Sequence, residues 1–200
     1  MGKLYYYYGT VSSAKTMNLL SSAHSYKTHK KVCCLIKPSV DTRSGRTTIS
    51  SRCGLSSEAD IVIDDGENVH TTLKNSIRNN VIPKPHVLLI DEVQFFTAQQ
   101  INTLRQITID FDIPVVCYGL RVDFRNNLFD GSKRLFEIAD TIIEVKSICC
   151  YCDKKATCNM KHINGEATLD GPTTQIGGDE TYKAVCYKCF TKRNRVVEIQ

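Results

Sequence analysis

The sequence predicts an α/β fold: a central, mostly parallel sheet covered on both faces by helices, with a small cysteine-rich unit at the C-terminus. Three observations predict it. Short apolar runs alternate with longer segments of helical character, the pattern of strands buried on both faces of a parallel sheet. The first run ends in a polar loop that opens a helix, and a later run ends in the adjacent carboxylates Asp91 and Glu92. Six of the ten cysteines fall between Cys149 and Cys189. That shift in composition puts a boundary near Lys146 and divides the chain into residues 1–146 and 147–200.

Taken in order, Leu4 to Tyr8 is a buried strand stopped by Gly9. Lys15 to Lys30 lacks proline and glycine and reads as a helix, and Val32 to Ile36 as a second strand. Ser39 to Ser57 is rich in hydroxyls and arginines, so a mobile loop is expected there. Gly66 to Asn80 has helical character, and Val87 to Asp91 is a third strand. Thr97 and Gln100 match a capping box, after which Ile101, Leu104, Ile107 and Phe111 share roughly one helical face. Val115 to Tyr118 and Thr141 to Val145 are further strands, with a short helix over Ser132 to Ala139 between them.

With 200 residues and 42% hydrophobic content, the chain suits one full domain plus an appendage and can bury a real core. Its net charge of +5 fits anionic small ligands as well as it fits nucleic acid. The opening MGKLYYYYG is not a charged leader followed by an apolar stretch, and no segment approaches the length of a membrane span. A cytoplasmic location is therefore expected, and the cysteines need a role compatible with a reducing compartment. Cys33, Cys34 and Cys117 lie in apolar runs and read as small buried hydrophobes.

The segment GTVSSAKT, Gly9, Thr10, Val11, Ser12, Ser13, Ala14, Lys15 and Thr16, follows the phosphate-loop pattern G-x-x-x-x-G-K-[ST] except at Ala14, where glycine is usual. Such a loop works because backbone N–H groups at a helix N-terminus converge on anionic oxygens. Lys15 would reach the terminal phosphates of a bound nucleotide, and the Thr16 hydroxyl would bind Mg²⁺. Asp91 and Glu92 stand at the end of a buried strand, where open parallel sheets bind ligands. Asp91 fits the holder of hydrated Mg²⁺, and Glu92 can take a proton from an attacking hydroxyl or water. A surface lysine on an ordinary turn and a merely polar strand end are the bland alternatives. Both elements in this order favour a P-loop nucleotide-binding domain.

Cys149 and Cys152 form one C-x-x-C, Cys186 and Cys189 another, with 33 residues between the pairs. Four thiolates in that pattern suit a tetrahedral structural Zn²⁺. A redox C-x-x-C, two unrelated pairs, or a ligand exchanged for Cys150, Cys158 or His162 remain open. The long intervening segment must loop out.

The motifs GTVSSAKT, DTRSG, SSRCGLSS, IDEVQFFT, IPVVCYGLRVDFRNNLFDGS and IGGDETYKAVCYKCF closely resemble, in this order, the type II thymidine kinases. These are cytosolic, zinc-containing enzymes that include many bacterial and phage members. The resemblance runs from about Leu4 to Phe190 and implies ATP-dependent phosphorylation of the 5′-hydroxyl of thymidine. It implies Glu92 as catalytic base, with Gly9 to Thr16 and the segment Asp91, Glu92, Val93 and Gln94 contacting the nucleotide and magnesium. It places Asp41 and Arg43 near the phosphates and the reacting hydroxyl. Phe124 would stack on the thymine. Thr173, Thr174, Gln175, Ile176, Gly177, Gly178 and Tyr182 would belong to a lasso closing over the nucleoside, largely through backbone groups, with zinc anchoring both of its ends. A homotetramer, feedback inhibition by dTTP, and no nucleic-acid or membrane partner are also implied. Two other readings stay in view: a small P-loop ATPase whose zinc module binds nucleic acid, and a catalytically impaired homologue, motivated by Ala14.

Overall fold

The computed structural model describes residues 1–172 and 182–194. The first apolar run forms β1 (Leu4–Gly9), and the polar loop after it opens α1 (Lys15–Thr28). β2 (Cys33–Pro38) follows, then β3 (Thr48–Ser50), β4 (Ser56–Glu58) and β5 (Ile61–Ile63). Next come α2 (Val69–Arg78), β6 (Val87–Ile90), a 3₁₀ turn over Val93–Phe95, and α3 (Ala98–Asp110). β7 (Val115–Leu120), α4 (Asp130–Ile138) and β8 (Thr141–Glu144) complete the larger unit. Six strands make one sheet in the order β5-β2-β6-β7-β1-β8, and every pairing in it is parallel.

Alternation along the strands explains the two-sided core. Cys34, Ile36, Leu88 and Ile90 point to one face, where Val69 and Leu73 of α2, Leu104 and Ile107 of α3, and Leu135 of α4 cover them. Cys33, Leu35, Val87 and Leu89 point to the other, beneath Leu19, Leu20 and Ala23 of α1. The capping box is formed in full: the Gln100 N–H donates to Thr97 Oγ1 at 3.1 Å, and the Thr97 N–H to Gln100 Oε1 at 2.9 Å.

The region Ser39–Ser57 differs from its expected mobile loop. β3 and β4 pair there as an antiparallel hairpin, with Ile49 opposite Ser57. Ile49 is 1% exposed and packs into the core on the α1 side, a burial that contributes about 2 kcal/mol. One apolar residue among hydroxyls gives no periodic signal, so sequence reading misses the hairpin. β5, an edge strand of three residues, is missed for its brevity.

After β8 the chain forms β9 (Cys158–Ile163), β10 (Glu166–Thr168), β11 (Tyr182–Val185) and α5 (Tyr187–Asn194). The three strands form an antiparallel sheet in the order β10-β9-β11. Cys149, Cys158, Met160, Val185, Cys186 and Phe190 make its core. β9 also buries Asn159, Lys161 and His162. Asn159 spans to the larger unit, donating through Nδ2 to the Val122 carbonyl at 2.8 Å. Among the described residues, no helix is long and apolar enough to cross a membrane.

Candidate active site

The site is assembled at the C-terminal ends of β1 and β6, with β7 between them. Gly9 closes β1 where a side chain has no room: a Cβ there would meet Ser13 Oγ at 2.3 Å and the Val145 carbonyl at 2.5 Å. The loop then turns through Ser12 (φ 58°) and Ala14 (φ 63°). Both take the left-handed conformation, which costs a non-glycine residue about 1–2 kcal/mol. Ala14 therefore performs the turn that glycine usually makes, carrying an extra methyl and some strain. The Val11 N–H donates to Asn159 Oδ1 at 2.8 Å, and Thr10 Oγ1 lies 2.6 Å from Ser147 Oγ. One side of the loop is thus tied to the cysteine-rich unit.

Lys15 is buried, its Nζ donating to the Thr10 carbonyl at 2.6 Å and to Ser13 Oγ at 3.2 Å. Burial lowers its pKa from 10.5 to about 8, while Glu92 and Asp91 pull it back up. Thr16 Oγ1 donates to the Asp91 carboxylate at 3.1 Å. Asp91 itself is raised from 3.8 to about 7, by burial first and by the neighbouring Glu92 second. A hydroxyl and a carboxylate converging at the mouth of a phosphate loop are hard oxygen donors, the kind Mg²⁺ accepts alongside phosphate and water. Thr16 and Asp91 fit that ion.

Glu92 follows in a left-handed conformation (φ 47°, ψ 41°). Oε1 accepts from Arg43 Nη2, and Oε2 from Gln94 Nε2. Gln94 is fixed in turn, its Oε1 accepting the Leu120 N–H at 2.9 Å. Arg43 also donates through Nε to Asp41 Oδ1 at 2.7 Å. Burial pushes the Asp41 carboxyl up, but Arg43 and Lys37 outweigh it and hold the group below its ordinary range. The structure therefore brings Lys15, Thr16, Asp41, Arg43, Asp91, Glu92 and Gln94 together. Val93 differs: it is fully buried in the hydrophobic core, and its carbonyl accepts the Phe96 N–H within the 3₁₀ turn.

A cavity of about 290 Å³ lies at the loop, lined by Val11 to Met17 and by Ser50 to Cys53 of the hairpin. Arg43, Glu92 and Leu120 complete its wall. Arg52 belongs to that wall and donates through Nη1 to Ser12 Oγ. Sequence reading does not single out Arg52, Lys37, Ser147 or Asn159. Two signals bore on Arg52: the arginine-rich composition of the loop that proves to be a hairpin, and its place within the motif SSRCGLSS.

Phe124 is 1% exposed, with the Arg125 guanidinium 4.7 Å and Lys161 Nζ 4.9 Å from its ring centre. The Tyr182 ring centre is 6.4 Å from it, so these two residues share one neighbourhood. Thr173, Thr174, Gln175, Ile176, Gly177 and Gly178 lie outside the described residues.

In the cysteine-rich unit, the sulfurs of Cys149, Cys152, Cys186 and Cys189 all lie within 4.8 Å of one another. Cys152 Sγ is 3.6 Å from Cys186 Sγ and 3.8 Å from Cys189 Sγ. Thiolates bound tetrahedrally to zinc sit about 3.8 Å apart, from a Zn–S bond near 2.3 Å. The four sulfurs fit Zn²⁺. Burial pushes the Cys149 thiol up, yet backbone N–H groups, those of Cys186 and Tyr151 foremost, bring it below its ordinary value. Cys150 is exposed and outside the group, the Cys158 sulfur meets Thr157 Oγ1, and His162 Nε2 meets the Tyr151 hydroxyl at 3.0 Å. None of the three alternative ligands joins the cluster.

Comparison with known proteins agrees with this geometry. The family model described as Thymidine kinase matches residues 2–190. A thymidine kinase of Streptococcus agalactiae is 42% identical over 95% of this chain and 97% of its own length. That of Streptococcus gordonii is 42% identical over 96% of this chain and 97% of its own. That of Lactococcus lactis is 41% identical over 96% and 98% respectively. Among solved structures, AMPPCP-bound DnaA from Aquifex aeolicus aligns at 13% identity with a TM-score of 0.39, covering 72% of this chain and 40% of that one. That likeness is too slight to argue from. With a family match across nearly its whole length and relatives above 40% identity, the chain belongs to the thymidine kinase family.

Proposed function

We propose that the chain transfers the terminal phosphoryl group of ATP to the 5′-hydroxyl of thymidine. The single observation that carries this reading is the Glu92 carboxylate. It is held by Arg43 and Gln94 at the wall of the same cavity that the phosphate loop lines. Phosphoryl transfer asks little covalent chemistry of a protein; positioning and charge neutralisation dominate. Glu92 accepts the proton of the sugar hydroxyl as that oxygen attacks phosphorus, and the bridging oxygen leaves with ADP. Arg43, bonded to Glu92 and Asp41, orients that carboxylate and adds positive charge beside it. Lys15 and the loop N–H groups hold the donor phosphates. Thr16 and Asp91 would hold Mg²⁺, which when bound supplies further charge neutralisation on the transferring group.

Phe124 and Tyr182 are assigned to the thymine side, together with the segment 173–178. Zn²⁺ on Cys149, Cys152, Cys186 and Cys189 has a structural role, because four protein ligands leave no open position. The division into residues 1–146 and 147–200 belongs to the same reading, supported by the six-stranded sheet ending at β8 before the cysteine-rich three-stranded sheet begins. Family resemblance extends the reading to a cytoplasmic homotetramer, inhibited by dTTP, with neither nucleic acid nor membrane as partner. The test is product identification after incubation with Mg-ATP and each common nucleoside. Thymidine 5′-monophosphate should form, and adenosine should remain unphosphorylated. ADP release without any nucleoside monophosphate would instead identify an ATPase.

A further inference from the structure

We infer that Arg52 contacts the polyphosphate tail of the nucleotide donor, carried to it by the β3–β4 hairpin; this rests on the reading of Gly9 to Thr16 as the donor loop. The hairpin tip, Ser50 to Cys53, lines the same cavity as Val11 to Met17 of the loop. Arg52 reaches across that space to Ser12 Oγ, on a residue whose left-handed backbone shapes the loop. A guanidinium so placed stands where the oxygens of a bound polyphosphate converge, and its planar fork can bond two of them at once.

The hairpin is anchored well enough to aim it. Ile49 is buried in the core, and Ser51 is tied to Leu55 by its N–H at 2.8 Å and by its hydroxyl at 3.1 Å. At the base, the fully buried Lys37 donates through Nζ to the Thr48 carbonyl at 2.8 Å. Position in the cavity also separates the cations by task. Arg43 is bonded to both Glu92 and Asp41, so its charge serves the side of the attacking hydroxyl. Lys15 approaches from the loop itself. Arg52 supplies positive charge from the hairpin, a different element from the loop that carries Lys15.

The experiment compares Mg-ATP binding by calorimetry for the wild type, Arg52→Gln and Arg52→Lys, with thymidine binding measured on the same samples. Arg52 is exposed, so both variants should melt with the wild type. Arg52→Gln should bind Mg-ATP about tenfold more weakly, and Arg52→Lys should recover part of that loss. Thymidine binding should stay within about twofold, and the Arg52→Gln curve should depend less on salt. Mg-ATP affinity in Arg52→Gln within about twofold of wild type would overturn the inference, as would an equal loss of thymidine binding. A wild type that binds Mg-ATP but makes no thymidine monophosphate would sink the kinase reading, while a loss of about tenfold in Mg-ATP affinity in Arg52→Gln would still uphold the Arg52 contact. A wild type that binds no Mg-ATP would overturn both.

Discussion

Ala14 and Asp91 carry the sharpest consequences at the scale of single residues. Ala14 makes a left-handed turn at φ 63°, so Ala14→Gly removes steric strain but loosens the unfolded chain. The two effects oppose, and urea unfolding should show a net change below about 1 kcal/mol. The KM for ATP should move less than about tenfold, since one methyl is small beside many charge-assisted contacts. Activity that appears only in Ala14→Gly would mean the natural loop does not function. Asp91 predicts a pH effect on the ligand-free protein. Its pKa rises from 3.8 to about 7 on folding, so the native state holds a proton that the unfolded chain has lost. Stability from this group is fully present below pH 3.8 and is lost as pH rises through about 7. Denaturation of wild type and Asp91→Asn across that range should give a difference curve falling with pH. A flat difference would show that burial does not hold the proton there.

At the scale of elements, the contact between β9 and the phosphate loop matters most. Asn159 is buried and uses both ends of its amide, on the Val11 N–H and the Val122 carbonyl. Asn159→Ala strands both groups, and an unmet buried donor or acceptor costs about 1–3 kcal/mol. The variant should melt earlier and bind Mg-ATP more weakly while keeping its zinc. Full Mg-ATP affinity in a destabilised variant would show that β9 supports the fold but not the loop. The zinc cluster gives the reverse pattern. Cys152→Ser and Cys186→Ser should lose metal and loosen the C-terminal sheet, leaving the six-stranded sheet folded by hydrogen exchange. Unchanged metal content in both would contradict the four-cysteine assignment. The strand–loop–helix at the phosphate loop, the Thr97 cap and the cysteine pairs were legible because each is a local pattern of residue types. The hairpin was not, since one buried isoleucine in a three-residue strand leaves no period to read. Nor was Asn159, whose partners lie 148 and 37 residues away along the chain.

At the scale of the whole molecule, the sheet order explains how distant motifs meet. β7 separates β1 from β6, and α1 crosses that gap closely enough for Thr16 to reach Asp91 at 3.1 Å. The smaller unit closes on the same edge, through Ser147 and Asn159 to the loop and through Arg121 Nη2 to the Thr157 carbonyl at 3.0 Å. The motifs named residue types that the proposed chemistry needs, and the fold brings Lys15, Thr16, Asp91 and Glu92 close together. They did not show which cation serves which group: the pairings of Arg43 with Glu92 and of Arg52 with Ser12 depend on how the segment after β2 and the hairpin lie against the loop. The central claim is that this assembly moves phosphate onto thymidine with Glu92 as base. Its most direct test is the rate of thymidine 5′-monophosphate formation from saturating Mg-ATP and thymidine in wild type and Glu92→Gln. The account predicts a kcat lower by about 10²–10⁴ in the variant, with ATP binding retained. A variant as fast as the wild type would contradict it.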